Sequence, residues 1–244
     1  MKRIGRILAG ILIVFVLAVV WYASAGQAFL ARRLFTNDRR IAAGTHWVRS
    51  DKGLYGGPVT VAAVDPRSPE TFYAGTTQDE VYFSLDAGSH WSSMSGVSTG
   101  AYVTGIVPAE GTTAGIFGRA VYGAGFLFSR DNGHTWKNSS RGLGSRNITC
   151  LGWTEHAPGM IFAGTGDAGL YISNVAGRSW RLVSGRGPGK NISSVELSPD
   201  GKTVIAGTQG AGAWISHDDG ATWSLLTSSL GGIDMVTGID MNPA

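Results

Sequence analysis

Residues 129–136 read SRDNGHTW, and the same pattern of Ser, Asp, Gly and Trp stands at 84–91 (SLDAGSHW) and 216–223 (SHDDGATW). A weaker copy, SNVAGRSW, stands at 173–180. The leading serines are Ser84, Ser129, Ser173 and Ser216, so the steps are 45, 44 and 43 residues. A step this constant is an architectural repeat, and a repeat fixes the fold before any single motif does.

The residues around each octet repeat as well. Immediately before each serine lies a short apolar run: VYF, FLF, LYI or AWI. Before that come FYAGT, FGRAV, FAGT and IAGT, and further upstream VTVAAVDP, YVTGIVP, NITCLGW and ISSVELSP. After the box Gly a fourth run begins at the Trp: HWSSMS, TWKNSS, SWRLVS and TWSLLT. Four short strands in about 44 residues make one blade of a β-propeller. Helix-periodic segments are absent after residue 44, which counts against helical solenoids.

The octet is then the hairpin between the third and fourth strands. Its Asp accepts turn N–H groups, its Gly supplies positive φ, and its Trp offers an apolar face for packing. The structural set is Ser84, Asp86, Gly88 and Trp91; Ser129, Asp131, Gly133 and Trp136; Ser173, Gly177 and Trp180; and Ser216, Asp218, Gly220 and Trp223. Val175 replaces the Asp of the third box, which predicts a looser turn. The adjacent Asp218 and Asp219 belong to a turn and are not read as an acid/base pair.

S-x-D-x-G-x-x-W after an AGT strand resembles the Asp-box, or BNR-repeat, β-propellers over roughly residues 44–244. That superfamily includes sialidases, xyloglucan-type glucanases, sortilin-like receptors and photosystem II assembly factors. The resemblance implies that the boxes lie away from the usual ligand face. It also implies a test for sialidase chemistry, which uses three arginines, a Tyr–Glu pair and an acid/base Asp. No such set is assignable: RRIAAG at 39–44 lacks the Pro of the Arg-Ile-Pro signature and precedes the propeller.

Both ends of the repeat are incomplete. AGTHW at 43–47 resembles a box end followed by a fourth strand, and MVTGIDMNPA at 235–244 resembles a first strand. The expected fold is therefore all-β, with four complete four-stranded blades and an incomplete closing fifth. Three readings of that fifth blade stay open: a fragment truncated at its C-terminus, a small propeller with a minimal closing blade, or closure by pairing with another chain. Unclosed blade edges favour self-association.

The 244 residues carry a formal charge of +3, but the basicity is local. Residues 1–40 hold Lys2, Arg3, Arg6, Arg32, Arg33, Arg39 and Arg40 against Asp38 alone. The rest is mildly acidic, which disfavours a nucleic-acid partner. The uncharged run from Ile7 to Ala31 is long enough for a membrane-spanning helix. The predicted organisation is a hydrophobic helix at 1–31, as anchor or cleaved signal segment, a basic linker at 32–43, and the propeller at 44–244. The expected location of the propeller is outside the cytoplasm, tethered to the membrane, with cleavage and secretion as the runner-up.

Candidate ligand-binding residues fall in two groups. The connections between blades carry Arg141, Arg146, Arg186 and Lys190, a basic set suited to an acidic partner. Within strands, Arg119 stands where the other units have Ala74, Ala163 and Ala206, and is expected to reach a partner or the rim. Glu196 and Asp240 lie on first strands, with Ala63 and Gly105 as counterparts, and are expected to face the central channel. No catalytic set, metal cluster or cofactor motif is assignable, and the single cysteine, Cys150, lies in an apolar run. The expected function is a non-catalytic binding or assembly module for a protein or glycan. The alternative is a glycoside hydrolase of the sialidase or glucanase kind whose catalytic residues lie partly outside this chain.

Overall fold

The structure, a computed structural model, describes residues 50–94, 100–108, 117–131, 133–157, 159–183, 187–226 and 235–241. The expected helix at 1–31, the linker at 32–43, the AGTHW strand and Arg186 lie outside the described residues. Among the described residues no helix is long and apolar enough to cross a membrane.

Among the described residues sixteen strands form four antiparallel sheets, one per predicted repeat. Blade 1 contains β1 (Val59–Asp65), β2 (Ser68–Thr76), β3 (Val81–Ser84) and β4 (Ser92–Ser93). Blade 2 contains β5 (Val103–Val107), β6 (Phe117–Val121), β7 (Gly125–Ser129) and β8 (Lys137–Asn138). Blade 3 contains β9 (Ile148–Trp153), β10 (Ile161–Thr165), β11 (Leu170–Ser173) and β12 (Arg181–Leu182). Blade 4 contains β13 (Ile192–Leu197), β14 (Val204–Thr208), β15 (Ala213–Ser216) and β16 (Ser224–Leu225). In every blade the strands pair in chain order, so each is an up-and-down meander. The innermost strands β1, β5, β9 and β13 meet one after the next.

Two features of the repeat explain how blades stack. The second residue of each innermost strand is a hydroxyl residue, and it donates to the carbonyl of the first residue of the next. Thr60 Oγ1 bonds Val103 O at 2.6 Å, Thr104 Oγ1 bonds Ile148 O at 2.8 Å, and Thr149 Oγ1 bonds Ile192 O at 2.6 Å. The glycine of the AGT strand keeps the second contact close. A Cβ on Gly75 would stand 2.6 Å from Val103, and one on Gly164 would stand 2.6 Å from Ile192. Val103, Ile148 and Ile192 are consequently sealed between blades. The Thr of AGT is also buried. Thr165 and Thr208 donate to Gly169 O and Gly212 O at 2.6 and 2.8 Å, closing the turn between the second and third strands.

The boxes are the predicted hairpins. Each serine hydroxyl accepts the box Gly N–H, at 2.8 Å for Gly88 and Gly133 and 2.9 Å for Gly177 and Gly220. In blades 1, 2 and 4 the serine also donates to its Asp, at 2.8, 2.7 and 2.8 Å. The same carboxylates accept His90, Thr135 and Thr222 N–H at 2.9, 2.8 and 2.7 Å. These bonds stabilise the charged form: the side-chain bond from His90, Thr135 or Thr222 leads in holding Asp86, Asp131 and Asp218 down at about 2. The third box differs from the expected looser turn. Ala176 takes a φ of 53° and Gly177 of 75°, matching 55° and 88° at Ala87 and Gly88. Its lost Asp is offset by burial, since Trp180 is inserted edge-on against Phe126 of blade 2, with ring centroids 5.1 Å apart.

Candidate functional site

The turns between second and third strands adjoin the entries to the innermost strands. Thr77 N bonds Pro58 O, Tyr122 N bonds Tyr102 O, Gly166 N bonds Asn147 O and Gln209 N bonds Asn191 O, at 2.9 to 3.1 Å. On this face the two residues so joined stand next to each other in every blade, although Gly166 of blade 3 carries no side chain. In blade 2 both are tyrosines. Tyr102 and Tyr122 stack with ring centroids 5.0 Å apart and planes 10° from parallel. They remain 40% and 36% exposed, a large aromatic surface held ready in open solvent. Burial, and then the neighbouring Tyr122, push the Tyr102 hydroxyl above the ordinary tyrosine range.

Arg146 joins this pair. Its carbonyl accepts Gly123 N–H at 3.1 Å, and its side chain runs beside Gly125, in the same turn as Tyr122. The side chain is exposed. Lys190 occupies the equivalent place one blade on, two residues before β13, and is also exposed. Arg141 is held elsewhere: its carbonyl accepts Trp180 N–H at 2.8 Å, at the end of the third box. The structure therefore separates Arg141 from Arg146, although only four residues lie between them in sequence. Sequence reasoning did not single out Tyr102 and Tyr122. The signal was available, because the aligned positions elsewhere hold Pro58, Asn147 and Asn191, and Thr77, Gly166 and Gln209.

Arg119 is turned inward. It is 2% exposed, and its guanidinium lies 3.1 Å from Asp79 Oδ1 and donates to Asp79 O at 2.8 Å. It also stacks 4.5 Å over the Trp136 ring. Burial lowers its affinity for the proton and the Asp79 charge opposes this. Asp79 sits in the β2–β3 turn of blade 1 with a φ of 61°. The expectation that Arg119 reaches a partner or the rim is thus replaced by a role inside the first blade junction. Its partner was also missed: TQDE at 77–80 departs from the AG ending shared by YGAG, GDAG and QGAG at the residue that meets Arg119, where the others have Ala.

Glu196 pairs across the sheet with Ile205, which makes Ala63, Val107 and Gly152 its counterparts in the other blades. Gly105 instead matches Val61 and Ser194, two residues earlier in the strand. The segment 235–241 attaches to blade 4: Val236 N donates to Thr208 O at 2.8 Å, Ser193 donates to Val236 O, and Met235 bridges to Gln209. In that register Asp240 is the counterpart of Glu196. Burial, with the Asp240 charge added, pushes the Glu196 carboxyl up to about 8, and burial also raises Asp240. Cys150 is buried within blade 3, and burial pushes its thiol up to about 12, far from a reactive thiolate.

Four antiparallel meanders closed by Ser-x-Asp-x-Gly hairpins, with Val175 in place of the Asp in the third, define a BNR-repeat β-propeller. The sequence family described as photosynthesis system II assembly factor YCF48 matches residues 34–230, and the chain belongs to that family. Among curated proteins none matches. Three solved structures share the fold. An ancestral GH74 enzyme superposes with a TM-score of 0.56 at 17% identity, over 75% of this chain and 27% of the enzyme. GH74 from Niastella koreensis gives 0.55 at 18%, over 73% and 28%. YCF48 from Cyanidioschyzon merolae gives 0.51 at 21%, over 74% of this chain and 63% of that protein. The chain therefore spans less than two thirds of each.

Proposed function

We propose that this propeller is a non-catalytic assembly module that binds a protein partner through the face carrying Tyr102, Tyr122 and Arg146. The observation that carries the proposal is the exposed, mutually stacked tyrosine pair, with the exposed Arg146 stem running along the same turn. Tyr and Arg dominate the energetically important contacts of protein interfaces, because they bury a large rigid area and still satisfy a polar end. Membership of a family described as photosystem assembly factors agrees with a protein partner. Lys190 extends the positive character toward blade 4, which favours an acidic segment. The uncharged run at 7–31 supports a tether that holds the propeller at a membrane, outside the cytoplasm.

Site-specific photo-crosslinking in cells tests this. Benzoylphenylalanine in place of Tyr122 captures a discrete protein partner, whereas the same probe in place of Ser89, in the first box, does not. Equal capture from both positions refutes the assignment of the face. Once the partner is purified, Tyr102→Ala weakens binding by about 2 kcal/mol.

A second reading rests on Glu196, which holds its proton at neutral pH beside the acidic Asp240. A protonated carboxyl near a carboxylate is the chemistry of a glycosidase acid. Turnover of fluorogenic glycosides that is abolished by Glu196→Gln would establish that reading in place of the first.

A further inference from the structure

Lys52, His90 and Asp86 form a chain of contacts on the first box. His90 Nδ1 lies 2.6 Å from Asp86 Oδ2, and His90 Nε2 lies 3.2 Å from Lys52 Nζ. Bonds from His90 lead in holding Asp86 down at about 2, so at neutral pH it is a carboxylate and only accepts. His90 Nδ1 therefore carries the ring proton, and the Nε2 lone pair faces the Lys52 nitrogen. The chain is open to solvent: the His90 side chain is 62% and that of Asp86 45% exposed, and Lys52 is exposed.

The backbone fixes where the lysine starts. Trp91 N donates to Lys52 O at 2.9 Å, and Trp91 Nε1 donates to Ser50 O at 3.0 Å. Ser50 Oγ donates to Gly88 O. Gly53, with a φ of 99°, packs so closely that a Cβ there would overlap the Trp91 carbonyl. The same docking recurs on the third box. Trp180 N donates to Arg141 O, Trp180 Nε1 to Ser139 O and Ser139 Oγ to Gly177 O, at 2.8 to 2.9 Å. There Arg141, Ser179 and Val175 stand in place of Lys52, His90 and Asp86. The docking therefore needs none of the three side chains, and their conjunction on the first box exceeds what the fold requires.

We infer that Lys52 is a site of covalent modification by small aldehydes, with His90 relaying the protons and Asp86 holding its ring. The Lys52 ammonium gives one proton to His90 Nε2, and the freed amine adds to the carbonyl carbon, forming the C–N bond. A second proton moves from this nitrogen to the former carbonyl oxygen. The imidazolium then returns its proton to that hydroxyl, the C–O bond breaks and water leaves. A protonated imine with one N–H remains on Lys52, so an ammonium and an aldehyde become an iminium and water, with no oxidant and no net proton. An aldehyde is the electrophile that uses the relay in both directions. Between the two transfers Asp86 stabilises the imidazolium, as a carboxylate does behind any acid–base histidine.

Reductive alkylation of the full chain in detergent micelles tests this. Propanal with cyanoborohydride converts each imine to a stable propyl-lysine, and peptide mass spectrometry gives the initial rate at each lysine. Lys137, Lys190 and Lys202 are also exposed and serve as references within the same molecule. Lys52 is expected to react at least about tenfold faster than these, the low side of what a positioned acid and base contributes. His90→Thr installs the residue that the second and fourth boxes carry at this position, and it should lower Lys52 to the reference rate. His90→Gln should do the same, and unchanged rates at the three reference lysines show that either variant is folded. A Lys52 no faster than the references overturns the inference. So does a fast Lys52 that both His90 variants leave fast, because exposure alone then explains it.

Discussion

The junction between blades 1 and 2 and the junction between blade 4 and the segment 235–241 are built on the same repeat but hold opposite electrostatics. The first encloses an Arg119–Asp79 pair, fully buried and stacked on Trp136. The second brings together two carboxyls, Glu196 half-buried and Asp240 exposed. A buried pair of opposite charges holds two blades in register and is costly to break from one side. Like charges side by side, with one of them largely out of water, favour the state in which that one keeps its proton. The comparison teaches that departures from a repeat have meaning in pairs. Arg119 makes sense only with Asp79, and Glu196 only with Asp240.

The sharpest way to break this contrast is Arg119→Ala. It leaves Asp79 buried without its cation and should cost about 3–5 kcal/mol in denaturant unfolding. Arg119→Ala combined with Asp79→Ala should recover part of that loss, and a double-mutant cycle measures the coupling. A cycle with no coupling would reduce the pair to ordinary packing.

At the other junction the sign reverses. The Glu196 carboxyl titrates near 4.5 when unfolded and at about 8 when folded. Between those values the folded chain keeps a proton that the unfolded chain has released. Stability therefore falls as pH rises from 4.5 to 8. Glu196→Gln should flatten that slope and stabilise the protein above pH 8 by about 1–3 kcal/mol, allowing for solvent screening. Melting curves across this range check it, and Arg119→Ala should leave the slope intact.

The box aspartates provide a control, since the bonds of Asp131 stay within its own hairpin. Asp131→Ala should lower the melting temperature by a few degrees without moving the dependence between pH 4.5 and 8. The contribution of Asp86, Asp131 and Asp218 is present above the unfolded value of 3.8 and is lost as pH falls through about 2. The smallest effect is expected from Val175→Asp, which restores the missing carboxylate of the third box. It should raise the melting temperature slightly, since Trp180 already anchors that turn against Phe126.

The blades were legible in the sequence because their information is local. A Ser-x-Asp-x-Gly turn, an AGT strand and a period of 43 to 45 residues each follow from contacts within one unit or between equivalent residues of consecutive units. The candidate site was less legible. Tyr102 and Tyr122 belong to different connections of one blade, and only the hydrogen bond that joins those connections brings their rings together. Arg141, Arg146, Arg186 and Lys190 suggested one patch because adjacent connections carry them, yet the chain from Arg141 to Arg146 turns from the third box to the blade 2 turn.

The sequence by itself determined the repeat, the four meanders and the hairpins that close them, because backbone sterics and short-range hydrogen bonds decide those. Only the tertiary structure decided which charged residues face inward. Burial of a side chain depends on the neighbouring blade, and a neighbour some 40 residues away leaves no mark within the segment it covers. That is why Arg119 read as a ligand residue and lies in a junction, while two tyrosines of ordinary connections form the exposed platform.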